Sequence, residues 1–216
     1  YAFDSPNTSW SFDLDAAAKI LDDAGWSQDG DTRKKDGVEL KVVYATTINQ
    51  VRQKTQAVVK QAFEKLGVKV ELQQIDAGIY FDSAPGNEQN IGHMYWDLAM
   101  YTSNAASPIP TSFMSAYYGG KDLSNIAQKS NGWAGQNASR WHNDEDDKAF
   151  EALGAATTLE EANELLIKLN DLVIENVVVI PQVNRPADQY AINNKLEKAN
   201  VKLGAFEYNF WNIANW

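Results

Sequence analysis

The stretch from Tyr101 to Phe113 has the types of side chain from which a small-molecule site is built. Hydroxyl and amide groups follow one another at the end of a predicted strand, and a proline-containing loop comes directly after it. Ligand clefts present aromatic faces together with a few convergent polar groups, and this stretch offers both. The sequence therefore predicts ligand contacts here. The predicted ligand-binding residues, two of them from a later loop, are Tyr101, Thr102, Ser103, Asn104, Ser107, Trp133 and Asn137.

Trp133 and Asn137 form the second group of predicted contacts. An indole can stack on a sugar ring or a peptide plane, and an amide can hydrogen-bond to either solute. For Trp133, ligand stacking and packing of the loop onto the rest of the protein are equally favoured. For Arg140 and Trp141, which follow closely, the sequence favours a structural role.

Motifs for catalysis or for metal binding are missing from the sequence. It contains no cysteine, no glycine-serine-glycine elbow, no phosphate-binding glycine loop and no His-Glu-x-x-His. The acidic run His142–Asp147 lacks the central glycine of a calcium loop, so it is predicted to cap a helix. We expect no cofactor, no metal and no catalysis. A glycoside- or peptide-hydrolysing enzyme is the alternative of another class, since acid pairs can hydrolyse glycosides.

The composition excludes several kinds of partner. The chain has 216 residues and a net charge of −10, so it offers no basic stripe for nucleic acid or for an anionic membrane surface. No apolar run approaches the ~20 residues that span a bilayer, and we predict no membrane insertion in this segment. Both ends of the sequence are expected to be cuts through a longer protein. A purely structural or protein-interaction module is a third class of function.

A strand-helix-strand unit is the strongest architectural pattern. It comprises a strand at Gly37–Ala45, a helix at Asn49–Leu66 and a strand at Val68–Asp76. Such a unit pairs its strands in parallel, and ligands meet it at the carboxyl ends of the strands. An apolar stripe is predicted to face the core from the helix, and its members are Val51, Thr55, Val58, Ala62 and Leu66.

The other predicted elements follow from caps, turn residues and periodicity. Asp13 caps a first helix, Asn143 caps a later one, and Thr158 with Glu161 forms a capping box. The segments are a helix at Leu14–Ala24, a polar loop at Gln28–Gly37, a short helix at Asp76–Ser83, a central strand at Met94–Tyr101, a long irregular stretch at Thr102–His142, helices at Asp144–Leu153 and Thr158–Glu175, a buried strand at Val177–Val183 and a strand at Gln189–Asn193.

Five segments in order resemble a known family. Phe12–Trp26 is similar to its helix ending in alanine-glycine-tyrosine, and Ser139–Asp147 to its signature arginine-tyrosine-x-asparagine-proline-glutamate-x-aspartate. Val38–Asp76, Trp96–Pro108 and Leu169–Val183 match the neighbouring segments. The family is the peptide-type solute-binding proteins of ABC importers, the dipeptide, oligopeptide and nickel class known as family 5.

The resemblance implies both a fold and a function. The fold is an α/β lobe like that of type II periplasmic binding proteins, with a central mixed sheet flanked by helices. Residues 1–216 would be the second, C-terminal lobe of a longer two-lobe protein. That protein would bind a peptide or other small solute in the cleft between its lobes and pass it to ABC permease subunits. It would be a periplasmic or extracellular monomer, with a lipid anchor as one form of the full-length protein.

Asn104 departs from the family's peptide-binding pattern. The family's peptide binders carry an aspartate on this loop that pairs with the free amine of the peptide. The matching position here is Asn104, and an amide cannot supply the charge-assisted bond that a buried ammonium requires. An oligosaccharide therefore remains an alternative solute.

Overall fold

The chain forms two compact units, each with its own core. The computed structural model describes residues 5–103, 110–183, 193, 195–196 and 212–215. Unit 1 comprises Tyr1–Ser9, Ser103–Ile126 and Ser139–Trp216, and unit 2 comprises Trp10–Thr102 and Ala127–Ala138. Parallel and antiparallel sheets occur together with helices, which confirms the predicted α/β class.

In chain order, the α-helices and strands are α1 (Leu14–Asp23), β1 (Ser27–Asp29), β2 (Thr32–Lys35), β3 (Val38–Glu39), β4 (Lys41–Thr47), α2 (Gln50–Lys65), β5 (Lys69–Ile75), α3 (Ala77–Tyr80), β6 (Leu98–Met100), α4 (Thr111–Met114), α5 (Asp144–Ala155) and α6 (Leu159–Glu175). Short 3₁₀ turns occur at Lys121–Leu123, Lys129–Asn131 and Ile213–Asn215.

The predicted strand-helix-strand unit is confirmed as β4–α2–β5. The two strands pair in parallel from Lys41 opposite Lys69 to Thr47 opposite Ile75. Asn49 caps α2, because its side chain accepts hydrogen bonds from the amides of the next turn at 3.0 and 3.2 Å. The helix ends before a glycine in the left-handed region, which allows the chain to turn back into β5.

The predicted buried stripe of α2 is wrong. Val51 and Val58 are 71% and 66% exposed, whereas Gln56 is fully buried. The Gln56 amide donates to the backbone carbonyls of Tyr44 at 2.8 Å and Gln73 at 3.2 Å. A glutamine satisfied in this way can replace an apolar residue in a core. Periodicity of apolar residues could not detect it.

The predicted polar loop at Gln28–Gly37 is instead a sheet. Strands β1, β2 and β3 pair antiparallel in that order. Gly30 has a positive φ in the first turn, and Asp36 and Gly37 both have positive φ in the second. Asp-Gly in that conformation is a strong hairpin signal, and here it outweighs the polar composition of the strands.

Arg33 joins this small sheet to the ends of two helices. Its side chain is buried; the guanidinium donates to the Asp22 carboxylate, to the Trp26 carbonyl at 2.5 Å and to the Leu66 carbonyl at 2.8 Å. Its backbone amide donates to the Gly67 carbonyl at 2.7 Å. One side chain therefore satisfies polar groups from α1, the turn that follows it, and α2.

β6 is shorter than the strand predicted at Met94–Tyr101. It was predicted to be central, but among the described strands it lies at a sheet edge, in the order β5–β4–β6. Met94 has a left-handed backbone, and the Trp96 ring stacks on Tyr80 in the core of unit 2. The Asp97 carboxylate accepts the amide of Val43 at 2.7 Å. The regular ladder therefore begins only at Leu98.

Unit 1 is built on α5 and α6, and their predicted caps are confirmed. Asn143 accepts the amides of Glu145 and Asp146, and Thr158 accepts the amide of Glu161. Residues from both helices and from α4 form one apolar core.

The short helices predicted after Asp13 and Asp76 are also confirmed, as α1 and α3 of unit 2.

The strand predicted at Val177–Val183 is wrong. Val177 takes a left-handed backbone just after α6, and the next two valines pack against the helical core instead of entering a sheet. Pro181 also lacks the amide hydrogen that a ladder needs. The strand predicted at Gln189–Asn193 lies outside the described residues, apart from Asn193.

Replacement of Arg33 by methionine is expected to lower the free energy of unfolding by about 2 to 3 kcal/mol, because buried carbonyl groups lose their donor. Urea unfolding followed by circular dichroism measures the change. Lys34→Met is the control, since the Lys34–Asp29 pair is exposed and should leave the unfolding curve close to that of the wild type. Equal effects of the two variants would contradict the role given to Arg33.

Candidate functional site

The carboxyl end of the parallel sheet in unit 2 is held by threonine side chains. The Thr46 hydroxyl donates to the Met100 carbonyl at 2.6 Å, which ties the end of β6 to β4. Thr46 and Thr47 are both buried. The backbone that leads into Tyr101 and Thr102 is therefore fixed by the sheet.

Arg52 reaches this edge from the first turn of α2. Its Nε donates to the Thr47 hydroxyl at 2.8 Å, and its Nη1 donates to the Thr102 hydroxyl at 3.2 Å. A guanidinium has five N–H donors, so three of them find no acceptor among the described residues. The described part of the chain also gives Arg52 no carboxylate partner, although the chain has 29 acidic and 19 basic residues.

Arg52 is the functional candidate that sequence reasoning missed. A signal was available, because a cation in the first turn of a helix opposes the helix dipole. The residue also follows the end of a predicted parallel strand by only a few positions. An arginine in this unfavourable place suggests a role other than helix stability.

Two tyrosines, Tyr80 and Tyr101, lie at or near the carboxyl edge of the sheet. Tyr101 is 45% exposed, and the Tyr80 side chain is fully buried. Burial raises the pKa of both phenols, and the Tyr80 hydroxyl lies near enough to Tyr101 and Arg52 for their charges to act on its pKa. The phenols are therefore neutral at physiological pH. The edge combines a cation, hydroxyl groups and an aromatic ring.

The remaining predicted site residues have different positions. Asn104 and Ser107 lie outside the described residues, and Ser103 is exposed and belongs to unit 1. Trp133 stacks on His93 with ring centroids 4.2 Å apart and meets the Tyr95 ring edge to face at 5.6 Å. Asn137 is fully buried, and its carbonyl accepts the Ala127 amide at 3.0 Å.

The structure thus divides the predicted residues of unit 2 into two groups. Tyr101 and Thr102 follow β6 and lie with Arg52 at the carboxyl edge. Trp133 is packed on His93 and Tyr95, which precede β6 in the chain. This packing gives Trp133 a structural role.

Trp133→Ala is expected to loosen residues 127–138, because the indole loses its stacking on His93. Limited proteolysis should show faster cleavage in this segment, with the rest of unit 2 unchanged. Trp10→Ala, at an indole that is 66% exposed, is the matched control and should leave the cleavage rate as in the wild type. Unchanged cleavage of Trp133→Ala would contradict this role.

The described residues show no group of three or more histidine, aspartate or glutamate side chains that could hold a metal ion. Over the same part of the chain, none of the helices is long and apolar enough to cross a membrane.

In α/β domains, ligands bind outside the carboxyl ends of the parallel strands, which is the edge where Arg52 lies in this protein. The chain belongs to the bacterial extracellular solute-binding proteins, family 5, because the model of the family's middle region matches residues 1–125. That match covers more than half of the 216 residues.

The sequence is similar to that of an oligopeptide-binding protein, OppA, from Lactococcus lactis subsp. lactis. The two are 35% identical over 111 residues, which cover 44% of this chain and 18% of the relative. The chain therefore spans less than a fifth of the length of that relative.

Solved structures share the fold. The oligopeptide-binding protein from Thermus thermophilus, complexed with a pentapeptide, has a TM-score of 0.66 at 21% identity over 82% of this chain and 30% of its own. A mannohexaose-bound periplasmic oligopeptide-binding protein from Thermotoga maritima has a TM-score of 0.62 at 18% identity, over 81% and 31%. These likenesses confirm the predicted type II fold. These relatives are described as binding proteins.

Proposed function

We propose that this chain is part of the extracytoplasmic solute-binding component of an ABC importer, and that Arg52 binds a carboxylate of a peptide solute. The proposal rests on the position of Arg52 at the carboxyl edge of the sheet. Three of its N–H donors have no acceptor among the described residues, and none of those residues is an acidic partner. A guanidinium prefers a carboxylate in two-point contact, and a peptide always offers one unless its C-terminus is blocked.

The geometry around Arg52 favours a fixed contact. Thr47 and Thr102 each accept one hydrogen bond, so the planar guanidinium is oriented before the solute arrives. Less side-chain entropy is then lost on binding. Tyr101, which follows β6, provides a half-exposed ring for an apolar part of the peptide.

The other predicted residues remain proposed solute contacts. Ser103, Asn104 and Ser107 continue the chain beyond Thr102 and are proposed to add polar contacts. Trp133 and Asn137 are proposed as secondary contacts. Because Asn104 cannot pair with an ammonium, we assign the main ionic contact to the carboxylate of the peptide and not to its amine.

We further propose that residues 1–216 form the second lobe of a longer two-lobe protein. Solute contacts from both lobes would favour the closed form, which the permease recognises. The family description places its members outside the bacterial cell, and we propose a periplasmic or extracellular monomer with an optional lipid anchor. The names of the Lactococcus and Thermus relatives support a peptide as the solute.

An oligosaccharide is the second candidate solute, supported by the mannohexaose-bound neighbour from Thermotoga maritima. A neutral sugar could hydrogen-bond to Arg52 but would leave its charge uncompensated. For this reason the peptide is the favoured solute.

The carboxylate contact can be tested with alanine-rich tri- to pentapeptides that have free or amidated C-termini. Calorimetry should show that amidation weakens binding to the wild type by tenfold to a hundredfold, the value of a charge-assisted hydrogen bond of roughly 1.5 to 3 kcal/mol. In Arg52→Gln this preference should disappear. Lys54→Gln, an exposed charge on the same helix, should keep it.

Thr102→Val separates direct binding from positioning. It removes one hydrogen bond of Arg52 but keeps the guanidinium, so the preference for a free carboxylate should persist at lower affinity. Equal binding of free and amidated peptides by the wild type would overturn the carboxylate contact. Binding of mannohexaose without binding of any peptide would replace the peptide by the oligosaccharide.

The two-lobe proposal has its own test. The 216-residue chain should bind peptide more weakly than the longer protein that contains it, because contacts from the other lobe and the exclusion of water are missing. Calorimetry on both proteins measures the difference. Equal affinities would contradict the two-lobe account.

A further inference from the structure

Asp146 in unit 1 is a buried carboxylate without a hydrogen-bond partner. Its side chain is 1% exposed, and neither of its carboxylate oxygens is hydrogen-bonded in the described part of the protein. It shares the inner face of α5 with Ala149 and Leu153, which belong to the apolar core. An ionised carboxylate in this place has lost its hydration without gaining a donor.

The charged surroundings of Asp146 make ionisation harder. Burial and, to a smaller extent, the negative charge of Asp147 raise the pKa of Asp146 to about 6. α4 and α6 also contribute to this core, and none of their described residues places a charge where it acts on Asp146. The nearest imidazole, His142, faces Asp144 and Asp147 at 3.5 and 3.6 Å.

Asp147, the residue after Asp146, binds a turn that comes before α5 in the chain. The Oδ1 atom of Asp147 accepts the Gly119 amide at 2.8 Å. A Cβ atom on Gly119 would lie 3.0 Å from both Asp147 Oδ2 and His142 Cδ2, so the turn approaches α5 as closely as a glycine permits. The Asn125 amide donates to the carbonyls of Ser115 and Tyr118. Residues 115–125 therefore form one turn held on Asp147.

We propose that Asp146 is a proton-dependent lock, which holds the 115–125 turn tightly on α5 when protonated and loosens it when ionised. Protonation removes the repulsion between the neighbouring carboxylates and leaves Asp147 as the acceptor of the Gly119 amide.

The stability of unit 1 depends on pH in the direction set by the raised pKa of Asp146. The pKa of Asp146 in the folded chain lies above the unperturbed value of 3.8. The contribution of Asp146 to the stability of unit 1 is therefore full below about pH 4 and is lost as the pH rises through about 6. From pH 5 to pH 7.5 the unfolded-to-folded ratio of unit 1 should rise about tenfold on account of this residue.

Asp171, also in unit 1, acts with the opposite sign and in a lower range. Burial opposes its ionisation, but hydrogen bonds from Asn7, Ser5 and Thr8 outweigh burial and hold the pKa of Asp171 below its ordinary value. The contribution of Asp171 to the stability of unit 1 is lost only as the pH falls below the range in which carboxylates ordinarily titrate. It therefore does not obscure a change between pH 5 and pH 7.5.

Hydrogen exchange of the 216-residue chain at pH 5 and pH 7.5, corrected for intrinsic exchange rates, tests the lock. The Gly119 amide and the amides of α5 and α6 should open about tenfold more often at pH 7.5 in the wild type. Asp146→Asn keeps the shape of the side chain and should remove this difference. Glu145→Gln, an exposed acid in the same turn, is the control and should keep it.

Two results would overturn the proposal. One is an Asp146→Asn variant that keeps the wild-type difference between the two pH values. The other is a wild-type Gly119 amide that is equally protected at both, a measurement that does not depend on the variant folding. Loss of the pH difference on addition of calcium or magnesium would identify a cation site in place of the proton site.

Discussion

Parallel pairing of β4 with β5 on one side and β6 on the other is the constraint on which unit 2 depends. It uses the backbone groups of β4 on both edges and continues past the strand end, where the Ile48 amide donates to the Ile75 carbonyl at 2.9 Å. Because the strands run in the same direction, their carboxyl ends meet at one edge. Arg52 comes to this edge because Asn49 starts α2 just after β4 ends.

Buried polar side chains, and not only apolar ones, hold the elements around this sheet. Gln56 crosses from α2 to the carbonyls of two strands, and Arg33 joins the antiparallel sheet to helix ends. Each makes several hydrogen bonds of defined direction, so each specifies a geometry that apolar contact alone would leave open. The threonine hydroxyls at the carboxyl edge act in the same way on a smaller scale.

Local signals explain which parts of the fold could be predicted. Asp13, Asn49, Asn143 and Thr158 were recognisable as caps because a cap depends only on the next turn of the chain. The inner face of α2, the limits of β6 and the end of α6 depend on partners distant in sequence. At the site, the strand end at Tyr101–Thr102 was predictable from the order of elements. Arg52 was missed, although a cation in the first turn of a helix was a signal, because only the three-dimensional arrangement reveals the absence of an acidic partner among the described residues.

Arg52 and Asp146 are two charges without a compensating partner in the described part of the chain, and their chemistry decides what each requires. A guanidinium stays protonated throughout the physiological range, so its environment must supply an anion, and at a partly open edge a solute can do so. A carboxyl group can lose its charge by taking up a proton, which a closed core admits more readily than an ion. The open position of Arg52 and the enclosed position of Asp146 therefore fit the proposed solute contact and the proposed proton-dependent lock, respectively.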